Sequence, residues 1–124
     1  MGLYAFGKLQ RLSKRNWIQE LFEKGSSFYS YPFKVLHIPL PDQATPAHQM
    51  LVSVSSRNIK KAVTRNLIKR RVREAYRLQQ HALVPPQKIG FALIYTPKEP
   101  LEFEEIKKKV EKVLRRLTAD NPPQ

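Results

Sequence analysis

Nine basic side chains and one acid crowd the stretch from Arg57 to Arg77: Arg57, Lys60, Lys61, Arg65, Lys69, Arg70, Arg71, Arg73 and Arg77 against Glu74. Guanidinium groups grip phosphate oxygens two at a time and stack on bases, so an arginine-rich stripe suits a phosphodiester backbone, and structured RNA somewhat more than DNA. Helical spacing puts Asn66, Arg70, Arg73 and Arg77 on one side, opposite Ile68, Val72, Ala75, Tyr76 and Gln79. Like charges three and four residues apart repel, and the Glu–Lys pairs that would offset this on a merely solvated helix are largely missing. A polyanion that neutralises the stripe removes that cost.

Hydrolytic chemistry is harder to find. Six of the ten acids belong to two helical stretches, Glu20 and Glu23 in the first and Glu102, Glu104, Glu105 and Glu111 in the last. Asp42 and Glu99 fall in turns, Asp120 in the tail and Glu74 among arginines. His37, His48 and His81 are far apart, there is no cysteine, and four glycines make no phosphate-cradling loop. The expectation is a polypeptide without a complete catalytic site of its own. A second feature is aromatic: Trp17, Phe22, Phe28, Tyr29, Tyr31 and Phe33 gather in the first third of the chain. Most should pack in a core, yet aromatics on an open sheet beside cations also make a stacking platform for single-stranded nucleic acid.

The elements that hold these residues follow from period and punctuation. Ser13 reads as an N-cap and Gly25 as a stop for a first helix over 14–24, carrying Trp17, Ile18, Leu21 and Phe22. Phe33, Val35 and His37 alternate with Lys34, Leu36 and Ile38 in a strand over 32–38, followed by a proline-bearing loop over 39–48. A second strand is expected at 50–56, the basic helix at 62–82, and a nearly all-apolar third strand at 88–96 that should be central. The last helix shows an apolar stripe of Phe103, Ile106, Val110, Val113, Leu114 and Leu117, with acids in its first turn and bases in its last. The order α-β-β-α-β-α describes one α/β (α+β) domain over 1–124, a two-layer sandwich with helices packed on a small sheet and flexible ends at 1–10 and 118–124.

With 23 Lys and Arg against 10 Asp and Glu, the net charge is +13. Such a field attracts polyanions, nucleic acid foremost. The N-terminus lacks the apolar core of a signal peptide, no stretch is apolar enough for a membrane span, and the absence of cysteine suits a reducing, cytoplasmic setting. An RNA-binding protein without catalysis of its own, such as a ribosomal or ribosome-assembly protein, and an autonomous nuclease remain in competition at this point; the lack of clustered carboxylates counts against the last.

One stretch separates them. Ala62, Val63, Arg65, Asn66, Ile68, Lys69, Arg70, Arg73, Glu74, Ala75 and Tyr76 make a pattern similar to the basic-helix motif of the bacterial ribonuclease P protein. Arg11, Leu12, Phe22 and Gly25 resemble the start of that family, and Ser53, Val54 and Ser55 its strand before the motif, so the resemblance covers about 8–117. The chain departs from the usual motif at Leu67, where many members have arginine, and at Lys60-Lys61, where many have Gly-Asn.

The resemblance implies a ribonucleoprotein subunit that assists removal of the 5′ leader from precursor tRNA, and a fold with a left-handed βαβ crossover. It implies that the RNA subunit carries the magnesium ions and the hydrolysis, with no metal held by the protein. The basic helix and its approach, Arg57, Lys60, Lys61, Arg65, Asn66, Lys69, Arg70, Arg71, Arg73 and Arg77, would bind RNA. A cleft between the first helix and the sheet would take the leader, on Arg11, Ile18, Phe22, Phe33, Val35, Ser53 and Ser55.

Overall fold

The computed structural model describes residues 17–40, 48–83 and 88–120. Helix α1 over 17–24 is followed by strands β1 Ser26–Ser30, β2 Phe33–Pro39 and β3 Gln49–Val54. Helix α2 Ala62–Gln79 runs into a 3-10 turn, Gln80–Ala82, before strand β4 Ile89–Tyr95 and helix α3 Phe103–Asp120. Arg11, the Ser13 cap and residues 14–16 of the expected first helix lie outside the described residues, as do the 1–10 segment and most of the loop at 39–48.

The sheet has four strands in the order β1-β2-β4-β3. Strand β4 is antiparallel to β2 and parallel to β3, so its apolar run is indeed central. Two differences from the expected order have physical causes. Residues Ser26–Ser30 form an edge strand antiparallel to β2. Three of its five residues are serines, which lack the β-branched signature of a strand; it exists because β2 pairs with it. At the other end, α3 continues to Asp120, so 118–120 are part of the last helix. Thr118 Oγ1 donates to Leu114 O at 3.0 Å within that last turn.

Period-two alternation sends side chains to two faces of the sheet. On one face Phe33, Val35, Val52, Val54, Ile89, Phe91, Leu93 and Tyr95 meet Ile68, Val72 and Ala75 of α2 and the Ile106–Leu117 stripe of α3. Tyr95 and Phe33 meet edge-on there, as do Tyr76 and Phe91. This is the main core. On the opposite face α1 lays Trp17 and Leu21 on Leu36, Leu40 and Ala92, so a short third layer caps the expected two. Gly90 permits that docking: a Cβ there would sit 2.6 Å from the Trp17 ring.

Candidate nucleic-acid interface

Helix α2 buries Ile68, Val72 and Ala75 and turns Asn66, Arg70, Arg73 and Arg77 outward, where with Glu74 they line a shallow open groove. Arg57, Lys60 and Lys61, on the loop that enters the helix, are also exposed. The first turn contains no acid, and Lys61 at the N-cap makes no side-chain capping bond. The positive end of the helix dipole therefore adds to the field of these cations. Among the described residues, Arg70 and Arg73 have no carboxylate in salt-bridge range. Arg77 does: its Nε and Nη2 donate to the two Glu74 oxygens at 2.8 and 2.6 Å. That pairing holds the Glu74 carboxyl below its ordinary range and raises Arg77.

Two other candidates in the stripe are committed inside the fold. Arg65 Nη1 donates to Ile59 O at 2.9 Å and Lys60 O at 2.8 Å, folding the approach loop against the helix. Arg71 Nη1 donates to Leu101 O at 2.6 Å and ties α2 to the segment leading into α3. Their sequence-based assignment to the RNA-facing surface is corrected to this extent: both guanidiniums hold backbone carbonyls, because both lie at the border between the buried and exposed sides of the helix. Lys69 is half-buried on the Arg65 flank of the helix, while Arg71 borders the buried side from the opposite flank.

The cleft residues divide as well. Phe33 and Val35 are 0% exposed and belong to the main core under α2 and α3. They cannot line a cleft beside α1. Alternation explains the error: both faces of β2 carry apolar residues, and the side facing α1 is Lys34, Leu36 and Ile38. Ile18 packs at the margin of the α1 cluster, and Phe22 projects from α1 with 57% of its surface exposed. Ser53 is half-buried, and Ser55 is exposed just beyond β3.

What α1 covers can be read from the register. Ser27, Leu36, Ala92 and Leu51 form one row across the sheet, and α1 sits on it. The adjacent row is Tyr29, Lys34, Ile94 and Ser53, and here α1 covers only part of the face, with Ile94 packed at the margin of its cluster. Tyr29 and Lys34 are exposed, Ile94 and Ser53 half-buried. Thr96 continues the same face past the end of β4. Of this open half the sequence points to Tyr29, through the aromatic cluster, but not to Lys34, Ile94 or Thr96. The signal that could have found it is Lys34, the one charged residue in a strand otherwise apolar but for His37, which marks the face that is not fully buried.

Two of the three histidines serve the fold. His48 Nδ1 accepts from Ile89 N at 3.0 Å where β4 begins, and burial followed by the Lys88 charge lowers its pKa. His37 is buried beneath the end of α3, 3.9 Å from Asp120, and is also lowered, chiefly by burial. No group of three His, Asp or Glu side chains forms a metal-binding cluster among the described residues. None of their helices is long and apolar enough to cross a membrane.

Comparison with known proteins agrees with this arrangement. The family model described as Ribonuclease P matches residues 6–118. The ribonuclease P protein component of Porphyromonas gingivalis is 32% identical over 124 residues, covering 96% of this chain and 90% of its own. Its counterpart from a Geobacillus species is 32% identical over 112 residues, covering 90% and 93%. Among solved structures, the RNase P protein from Thermotoga maritima superposes with a TM-score of 0.68 at 24% identity over 83% of this chain and 93% of that one. The Staphylococcus aureus RNase P protein gives 0.66 at 24% identity over 80% and 86%. Matched by the family model over residues 6–118 and by curated relatives over most of its length, this chain belongs to the ribonuclease P protein family.

Proposed function

We propose that the exposed side of α2 docks on the ribonuclease P RNA subunit while the open half of the sheet takes the single-stranded 5′ leader of precursor tRNA. As a member of its family the chain is the protein subunit of a ribonucleoprotein that processes tRNA. The observation that carries the finer reading is the separation of two cationic surfaces. The Asn66–Arg77 groove faces away from the sheet, whereas Lys34 stands on the opposite sheet face in register with Tyr29 and Ile94, the face over which α1 carries an exposed Phe22. The first surface offers forked donors to a folded phosphate backbone, and the second offers rings and one ammonium to unpaired nucleotides.

In this reading hydrolysis and its magnesium ions belong to the RNA subunit. The described acids lie mostly on α1 and α3 and their approaches, with Glu74 and Glu111 paired to arginines, so the part this reading gives the protein is binding rather than bond cleavage. The protein contributes binding energy at the leader, so it distinguishes precursor from mature tRNA, and its cations lower the magnesium needed to hold the two RNAs together. The test is reconstitution with a bacterial ribonuclease P RNA and precursor tRNA at low magnesium. Cleavage is expected only when both subunits are present. Cleavage by the protein without RNA, abolished by a point substitution in the protein, would overturn the assignment.

A further inference from the structure

We propose that Tyr29 is a fixed stacking station for one base of the leader, held by Thr96 and served by the Lys34 ammonium. The proposal rests on the leader reading above and extends the path across the sheet to its β1 edge.

The geometry begins with one hydroxyl. Thr96 Oγ1 lies 3.0 Å from Pro32 O and 3.1 Å from Tyr29 Oη. Its single proton goes to the carbonyl, which has none to give, so the Tyr29 hydroxyl donates to Thr96. Tyr29 lies on β1 and Thr96 follows β4, with β2 between them. Those strands are two spacings apart, roughly 9–10 Å. The tyrosine must therefore lean across β2 to reach its partner.

A ring tethered at its tip over the sheet loses little freedom when a base stacks on it, which is the condition for an affinity gain. Tyr29 nevertheless remains 55% exposed. Its direct cross-strand neighbour is Lys34, close enough to meet the phosphate of a nucleotide stacked on the ring. Tyr31, the next aromatic, is not part of this surface: Lys109 of α3 stands 5.9 Å from its ring centre, which places it toward the α3 side.

The same bonds join this station to the RNA-facing side. Thr96 N donates to Pro32 O at 3.0 Å, and Asn58 Nδ2 donates to Thr96 O at 3.1 Å. Asn58 sits in the approach loop between Arg57 and Lys60. The end of β4 thus fixes both the tyrosine and the loop that feeds α2. The row from Ser53 to Tyr29 crosses three strand spacings, roughly 14 Å. A leader must exceed a threshold length before it reaches the β1 edge.

The experiment measures the affinity of reconstituted holoenzyme for mature tRNA and for precursors with leaders of increasing length. Wild type, Tyr29→Ala and Tyr29→Phe are compared. Tyr29→Ala should weaken binding roughly 5- to 100-fold for long leaders, the range for one lost stack, and leave mature tRNA and the shortest leaders unaffected. Tyr29→Phe, which keeps the ring, should recover most of the loss. Equal weakening for mature tRNA and every leader length would assign Tyr29 a structural role and overturn the proposal, as would no weakening at any length. A wild-type holoenzyme that gains nothing from a leader of any length would instead sink the underlying leader reading, a result visible before any variant is made.

Discussion

Adjacent arginines on α2 do different work, and their substitutions should separate cleanly. Arg70 points to solvent without a carboxylate partner among the described residues, whereas Arg71 holds Leu101 O at 2.6 Å. Arg70→Ala and Arg73→Ala are each expected to lower the salt dependence of RNA binding by about one phosphate contact, with the melting temperature unchanged. Arg71→Ala and Arg65→Ala should instead cost roughly 1.5–3 kcal/mol of stability, the range for hydrogen bonds to a charged group. Salt titrations and thermal melts on the four variants check this; a destabilised Arg70→Ala with an unchanged salt slope would reverse the assignment. The histidines carry a pH prediction. Both His48 and His37 have pKa values lowered from 6.5, mainly by burial. A group whose protonation is disfavoured in the fold contributes stability above its unfolded pKa and loses it as the pH falls. The melting temperature should therefore hold above about pH 6.5 and decline below it, with a smaller decline in His48→Gln, whose side chain can accept from Ile89 N at any pH. A melting temperature flat from pH 7.5 to 5.5 would contradict this.

At the scale of elements, much was legible and the misses are instructive. The 3.6 period of α2 and α3 and the apolar run of β4 stand in the sequence because each helix buries one side and the central strand buries both. Strand β1 was hidden because its place is set by pairing to β2, a long-range contact that a serine-rich pentapeptide does not announce. The faces of β2 were legible as alternation, but which face meets α1 depends on where the chain crosses the sheet. Phe33 and Val35 were assigned to the leader on that account, and Lys34 was passed over. A main-core Phe33 implies that Phe33→Ala costs roughly 3–5 kcal/mol, whatever RNA is present; a loss below 1 kcal/mol in denaturant melts would contradict its placement. The contact between α1 and β4 is testable through Gly90, where a Cβ would meet the Trp17 ring at 2.6 Å. Gly90→Ala should displace α1, cost roughly 1–3 kcal/mol and shift the emission of the chain's single tryptophan to the red. Unchanged emission would show that the helix does not rest there.

Across the whole molecule, a net charge of +13 draws the chain to any RNA, and charge alone does not say which side touches what. The fold supplies the division. One helical layer carries the groove of Asn66, Arg70, Arg73 and Arg77; the opposite sheet face carries Tyr29, Lys34 and Ile94 and is half-covered by α1, which bears the exposed Phe22. The central claim is that the second surface recognises the leader. It is tested most directly by the ratio of precursor to mature tRNA affinity in the reconstituted holoenzyme, for wild type, Phe22→Ala and Lys34→Ala. Wild type should prefer precursor, and Phe22→Ala should reduce that preference by roughly 1–3 kcal/mol through precursor alone. Lys34→Ala should reduce it in a salt-dependent manner. A precursor preference that survives both substitutions intact would show that the leader does not lie on this face.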